Sequence, residues 1–156
     1  MPGRVAIVRA RTADRADAFA IFHEYFEDID VEFRDDDAAV ASYLVAPSGL
    51  WLARDGSQTV GCIAIHPLAQ IEGAWELKRM YVRASYRRRG VAKALLDAAE
   101  AHAAAHGADW IYLDTKAHLL PAIRFYRSSG YEPIERYNNN SEASFFMRRR
   151  LAQPGA

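Results

Sequence analysis

The segment from Trp75 to Asp114 constrains the fold more than any other part of this chain. Trp75 to Val82 reads as an apolar strand, an alanine-rich helix begins near Gly90 and ends at Gly107, and Trp110-Ile111-Tyr112-Leu113-Asp114 reads as another strand. Strands of one sheet joined through a helix run parallel with a right-handed crossover. A βαβ unit follows, and the turn leaving Val82 lies at a strand carboxyl end, where ligands collect in such sheets. Val91, Ala94, Leu95, Ala98 and Ala101 recur at helical spacing and are expected to face the sheet.

The rest of the chain supplies more strands and helices around that unit. Val5 to Arg9 reads as a first strand, and Thr12 or Asp14 caps a helix carrying Phe19, Phe22, Phe26 and Ile29 at helical spacing. A short helix is expected from about Asp35 to Val45, stopping before Pro47. Leu50 to Arg54 and Thr59 to His66 flank Asp55-Gly56 and pair as a hairpin. Pro121 opens a late helix at its first position, Gly130 closes it, and Ala143 to Leu151 forms a last strand. The fold class is α+β: a mixed, mostly antiparallel central sheet with helices on both faces and one βαβ unit. With 156 residues and no linker or repeat, residues 1–156 are expected to form a single domain.

The turn after Val82 is built for an anion. It carries Arg87-Arg88-Arg89-Gly90-Val91-Ala92 followed by Lys93, directly ahead of the helix. The first turn of a helix leaves N–H groups unpaired at the positive end of its dipole, and arginine adds fork-shaped donors that match phosphate oxygens. Gly90 permits a close backbone approach. Neither G-x-x-x-x-G-K-[ST] nor a G-x-G-x-x-G after a strand occurs, which argues against a P-loop nucleotidase and against a dinucleotide-binding fold.

Charge excludes some partners. Twenty acidic residues balance twenty basic ones, so the chain lacks the net cationic field of nonspecific nucleic-acid binding, and Arg83, Arg87, Arg88, Arg89 and Lys93 are not expected to hold DNA or RNA. Arg148-Arg149-Arg150 lies within an apolar segment and reads as strand. No apolar run reaches the ~18 residues of a membrane span, and the opening Met1-Pro2-Gly3-Arg4 is no secretory leader, so a cytoplasmic protein is expected, with no membrane partner. Cys62, the single cysteine, sits in a strand and reads as packing. His102 and His106 are spaced i, i+4 but have no third ligand nearby, so they read as a solvated pair and no metal is expected. Gly-x-Ser-x-Gly is absent, which leaves a serine hydrolase unsupported.

Arg-x-x-Gly-x-Ala at residues 87 to 92 resembles the acyl-CoA-binding motif of the GCN5-related N-acetyltransferase (GNAT) family. Glu76-Leu77-Lys78-Arg79-Met80-Tyr81-Val82 and Leu95-Leu96 resemble the family's central strand and helix, and the stretch Ala122 to Tyr131, with its Phe125-Tyr126 pair, resembles its late helix. Where the family often has an asparagine three residues ahead of that alanine, this chain has Leu119.

The resemblance implies the acyl-CoA N-acyltransferase fold and transfer of an acetyl group from acetyl-CoA to a primary amine of a small molecule or peptide by direct attack. It implies that Arg87, Arg88, Arg89, Gly90, Val91, Ala92 and Lys93 hold the pyrophosphate. The pantetheine arm runs beside Met80, Tyr81 and Val82, where this strand splays from its neighbour. Glu76 matches the family's catalytic glutamate and Tyr126 its general-acid tyrosine. An amine of pKa near ~10.4 costs about 4.6 kcal/mol to deprotonate at pH 7, so a base is useful, and burial is expected to raise the pKa of Glu76 towards that role, directly or through a water. The alternative for Glu76 is a structural pair with Lys78 or an arginine. Tyr126 is expected to stabilise the departing thiolate by a hydrogen bond, because a phenol near ~10 is a weaker acid than a thiol near ~8.5. Acidic residues from Glu24 to Asp37 and the loop Tyr137-Asn138-Asn139-Asn140 are candidate acceptor contacts. A rival reading is a noncatalytic acyl-CoA sensor or docking module, and Phe145 and Phe146 offer a surface for a homodimer.

Overall fold

The computed structural model describes residues 4–152; Met1-Pro2-Gly3, part of the segment read for a leader, and residues 153–156 lie outside them. Along the chain run β1 (Val5–Arg9), α1 (Arg15–Ile29), α2 (Asp37–Ser42), β2 (Gly49–Asp55), β3 (Gln58–Pro67), β4 (Ala74–Val82), α3 (Val91–Ala105), β5 (Trp110–Thr115), α4 (Leu120–Ser128), β6 (Glu132–Ile134) and β7 (Phe145–Arg150). The strands form one seven-stranded sheet in the order β1-β2-β3-β4-β5-β7-β6. Every neighbouring pair is antiparallel except β4 and β5, which are parallel as the βαβ reading requires. The mixed, mostly antiparallel sheet with helices on both faces is therefore the observed fold.

Period-two alternation in the central strands divides the interior. Leu50 and Leu52 of β2 with Cys62 and Ala64 of β3 join Phe22 and Phe26 of α1 in one cluster, whereas Trp51, Ala53, Ile63 and Ile65 join Leu95, Leu96 and Ala99 of α3 in the other. Both faces are covered, so these strands are almost wholly apolar. Each fully buried Phe or Leu contributes about 2–3 kcal/mol by leaving water.

Four boundaries or faces differ from the sequence reading. On α3 the buried stripe is Val91, Leu95, Leu96, Ala99, Glu100 and Ala103, while Ala94 and Ala101 are exposed. The helix is turned towards Glu100, which is tolerated inside because Tyr131 Oη donates to it at 2.8 Å and Arg149 Nη1 at 2.8 Å. α2 is shorter than expected, because Asp36 caps it by accepting the Ala39 N–H at 2.8 Å and the chain turns out of the helix at Tyr43. Pro121 is the second residue of α4, and β6, unanticipated, pairs with β7.

Other expectations change on packing grounds. His102 and His106 are no free solvated pair: His102 Nε2 lies 2.8 Å from Pro47 O, and its ring packs edge-on against Trp51 and Trp75. That partial burial lowers the pKa of His102. Phe146, offered for a dimer surface, is buried against Tyr137 and Arg136. Cys62 is buried and its thiol pKa is pushed up by desolvation. Arg148 stacks on Trp110 at 3.9 Å, and Arg149 pairs with Glu100, so these arginines belong to β7 and its neighbours. Among the described residues no helix is long and apolar enough to cross a membrane.

Candidate active site

β4 is paired on both sides only along its first half. On the β5 side the partners run from Ala74–Trp110 to Leu77–Leu113 and then stop, although β4 continues to Val82 and β5 to Thr115. The two strands therefore part after Leu77, as the family resemblance implies. On the other side the register with β3 slips: Cys62 faces Tyr81 and Ala64 faces Lys78, so Arg79 and Met80 together oppose Ile63. This is a β-bulge, and Arg79 adopts φ 59° within it. A non-glycine residue in the left-handed region carries roughly 1–3 kcal/mol of strain. Arg79 is held there by Asp35, which accepts from Nε at 2.8 Å and Nη2 at 3.0 Å, by stacking of its guanidinium 5.0 Å from Phe26, and by a Cys62 thiol that donates to its carbonyl at 3.1 Å.

The opening between β4 and β5 is a cleft of about 680 Å³, lined by Met80, Tyr81, Val82, Arg87, Arg88, Gly90, Ala92, Lys93, Leu119 and Tyr126 among others. That volume suits a ligand of cofactor size. At its far end the chain enters α3 without a side-chain cap, and the first backbone bond of the helix joins Ala94 N–H to Gly90 O at 3.0 Å. Among the described residues, the N–H groups of residues 88 to 93 have no hydrogen-bond acceptor, which leaves six consecutive donors at the positive end of the helix dipole. Gly90 has φ 80° and a Cβ there would meet nothing within 4 Å, so glycine answers the backbone angle and leaves the approach open.

The arginines divide their work. Arg88 lines the cleft with φ 63°, whereas Arg87 lines it with Nε donating to Val82 O at 2.9 Å and Nη2 3.6 Å from Asp28. Arg89 is outside the lining, its guanidinium over the Tyr86 ring at 5.2 Å. Val91 turns its side chain into the core and can offer the cleft only its N–H. Lys93 lines the cleft and pairs with Asp97.

Tyr126 lines the cleft with its ring tilted against Phe125 and Tyr131. Its hydroxyl makes no hydrogen bond among the described residues, and burial raises its pKa well above the usual tyrosine value. Thr59 Oγ1 is the only fully enclosed side-chain polar atom without a partner among them, so the Tyr126 hydroxyl keeps some access to open space. Leu119 borders the cleft and gives α4 no side-chain cap.

Glu76 is placed apart from Tyr126. It lines neither the cleft nor the recess described below, and its carboxylate is saturated. His66 Nε2 lies 2.9 Å from Oε1, Tyr137 Oη donates to Oε2 at 2.7 Å, Asn138 Nδ2 donates at 3.2 Å, and Lys78 Nζ stands 3.6 Å away. Burial alone would raise its pKa, but the contacts with His66, Lys78 and Tyr137 outweigh it and hold the carboxyl at about 2. The upward shift expected of a base is thus reversed, because sequence could not show four partners converging from β3, β4 and the 137–140 loop. Within the acidic run in α1 and after it, Glu24 is paired with Arg83, Asp28 with Arg87 and Asp35 with Arg79.

A second recess of about 210 Å³ opens beside the cleft, with Tyr25, Phe26, Val31 and Phe33 on one side and Lys78, Asp114, Lys116, Asn140 and Glu142 on the other. Tyr25, Ile29, Lys78, Arg79, Asp114, Thr115 and Leu119 border both spaces, so the two adjoin. Burial pushes the Tyr25 phenol up to about 12. Asp114, which the sequence reading passed over as a strand end, stands at the junction. Its one signal was position, at the carboxyl end of a parallel strand beside the ligand turn.

Comparison with known proteins agrees with this geometry. The acetyltransferase (GNAT) family model matches residues 12–131. An uncharacterized N-acetyltransferase of Schizosaccharomyces pombe is 31% identical over 147 residues, covering 89% of this chain and 90% of that one. The uncharacterized N-acetyltransferase YsnE of Bacillus subtilis is 33% identical over 105 residues, covering 65% of this chain and 68% of that one. Among solved structures, a GNAT-family acetyltransferase of Staphylococcus aureus superposes with a TM-score of 0.83 at 23% identity over 96% of this chain and 100% of that one. NAA60 of Arabidopsis thaliana, solved with a bisubstrate analogue, superposes with a TM-score of 0.76 at 18% identity over 96% of this chain and 100% of that one. The chain belongs to the GNAT family and is an acetyl-CoA-dependent acyltransferase.

Proposed function

We propose that this protein moves the acetyl group of acetyl-CoA directly to the nitrogen of a small primary amine, without a covalent enzyme intermediate. The observation that carries the reading is the run of unpaired N–H groups from Arg88 to Lys93, of which Arg88, Gly90, Ala92 and Lys93 line a 680 Å³ cleft. Such a cradle favours the diphosphate of coenzyme A, with Arg87 and Arg88 adding charge. The unpaired edge of β4 from Lys78 to Val82 then offers backbone groups to the pantetheine arm, which directs the thioester towards Tyr126.

The acceptor enters from the 210 Å³ recess, whose volume supports a small amine, or the first residue of a chain, over a bulky one. An ammonium ion gives up one proton, and its nitrogen attacks the thioester carbonyl carbon to form a C–N bond. The C–S bond breaks as the thiolate leaves. The second proton departs from nitrogen, and the thiolate is protonated to free CoA-SH, so one proton is released per turnover. Tyr126 donates a hydrogen bond to the thiolate rather than its proton, because burial makes the phenol a still weaker acid.

Calorimetric titration with acetyl-CoA, followed by thiol release in the presence of an amine panel, tests this reading. Saturable binding with amine-dependent thiol release is expected. Binding without release from any amine identifies an acyl-CoA sensor, and absence of binding removes the proposal.

A further inference from the structure

Tyr126 is not alone in having a hydroxyl without a partner at the cleft. Tyr25, in the last turns of α1, is a second case: no hydrogen bond among the described residues reaches its Oη. The ring is half-buried, with centroids 5.6 Å from Phe26 and 5.9 Å from Tyr81. The hydroxyl itself is not sealed in, because Thr59 Oγ1 is the sole fully enclosed side-chain polar atom lacking a partner among the described residues. Tyr25 borders both the cleft and the recess, so the space left to its hydroxyl is that of the ligand cavity.

Phenylalanine would give the same ring packing with no polar atom to desolvate, so packing does not account for the hydroxyl. Burial pushes the Tyr25 phenol up to about 12, and it therefore stays protonated, as a donor, throughout the neutral range. Tyr25 is also near enough to Tyr126 to help raise the pKa of that residue, which brings one hydroxyl from α1 and one from α4 to the same part of the cleft. The cations that border both spaces are engaged, Lys78 by Asp114 and Glu76, and Arg79 by Asp35. A free donor at this place needs an acceptor. The thioester supplies one, for its carbonyl oxygen accepts hydrogen bonds and gains negative charge when nitrogen attacks.

Resting on the acetyl-transfer reading, we propose that Tyr25 is a further catalytic residue, whose hydroxyl donates a hydrogen bond to the thioester carbonyl oxygen while Tyr126 serves the sulfur. As the amine nitrogen bonds to the carbonyl carbon, the C=O π pair moves onto oxygen, and Tyr25 holds that oxyanion without giving up its proton. The pair then re-forms the carbonyl as the C–S bond breaks, and the thiolate leaves beside Tyr126. Each hydroxyl meets negative charge on a different atom and at a different stage. A donor fixed by its ring on α1 needs no reorganisation when the charge appears, which is what makes such a contact effective.

Isotope-edited infrared spectroscopy of acetyl-CoA, labelled with heavy carbon at the thioester carbonyl, reads this contact without turnover. Bound to wild type, the carbonyl band is expected at lower wavenumber than in water. Tyr25→Phe abolishes that displacement and Tyr126→Phe keeps it. In turnover, Tyr25→Phe lowers kcat at least tenfold while the Kd of acetyl-CoA changes less than twofold. A displacement that survives in Tyr25→Phe overturns the proposal, even where acetyl-CoA binds and amines are acetylated, and so does a wild-type band that stays at its position in water. Should Tyr25→Phe fail to fold, replacing Tyr25 by fluorotyrosine, a stronger donor of nearly the same shape, displaces the band further; a band that does not move overturns the proposal. Failure of wild type to bind acetyl-CoA removes both this proposal and the reading beneath it.

Discussion

Asp35 grips Arg79 through both carboxylate oxygens, at 2.8 and 3.0 Å, and so connects the segment ahead of α2 to the bulge where β4 leaves β5. Both side chains are mostly buried, 13% and 21% exposed, and the pair sits beside the recess rather than on the outer surface. Removing one member of such a pair leaves an uncompensated charge, at a cost of about 3 kcal/mol. Asp35→Ala is expected to destabilise by that order in urea unfolding at pH 7. In the double variant with Arg79→Met much of the loss returns, with a coupling of at least about 1 kcal/mol. Simple additivity would show that Arg79 holds its left-handed conformation without Asp35.

The contacts of Glu76 predict how stability depends on pH. The folded-state pKa of about 2 lies below the ordinary 4.5, so the stabilisation is complete above about pH 4.5 and is lost as pH falls towards 2. A shift of that size corresponds to about 3 kcal/mol at 1.36 kcal/mol per unit. Glu76→Gln should therefore be clearly less stable at pH 7 and much closer to wild type at pH 2.5, as read from urea midpoints. A constant difference at both pH values would assign the loss to packing.

Much of the fold is legible in the sequence because the signals are local. The βαβ unit, the hairpin at Asp55-Gly56 and the glycine at the start of α3 each follow from residues close in the chain. The face of α3 is not legible, since alanine at eight of its fifteen positions, on every side of the helix, blurs the apolar stripe, and the buried Glu100 is explained only by Tyr131 and Arg149 from distant elements. The same distinction divides the site. The anion cradle is contiguous from Arg87 to Lys93, whereas Glu76 and Asp114 share a contact with Asn138, which donates to both across 62 and 24 residues of sequence.

Gly90 offers a test of the cradle that separates backbone angle from space. A Cβ meets no protein atom within 4 Å, so any loss of stability in Gly90→Ala comes from φ 80° and should be about 1 kcal/mol. The methyl group would project into the space left for the ligand, and the angle would relax away from the arrangement that presents the N–H groups. Acetyl-CoA affinity is expected to fall at least tenfold by calorimetry. Unchanged affinity together with the stability loss would show that the diphosphate binds elsewhere.

Tyr126 carries the last prediction, and its burial fixes the direction. Desolvation raises the phenol pKa, so the hydroxyl stays protonated and available as a donor far into the alkaline range. Tyr126→Phe removes that donor while leaving the ring packed against Phe125 and Tyr131. If the hydrogen bond forms only as negative charge develops on sulfur, kcat should fall at least tenfold, equivalent to about 1.4 kcal/mol, with little change in acetyl-CoA affinity. A proton donor of ordinary tyrosine acidity would instead lose its proton near pH 10. Wild-type kcat should therefore show no Tyr126-dependent decline between pH 8 and 10, and the ratio of wild-type to Tyr126→Phe turnover should stay constant across that range. A ratio that collapses towards unity near pH 10 would mean that the phenol ionises there, contrary to its buried setting.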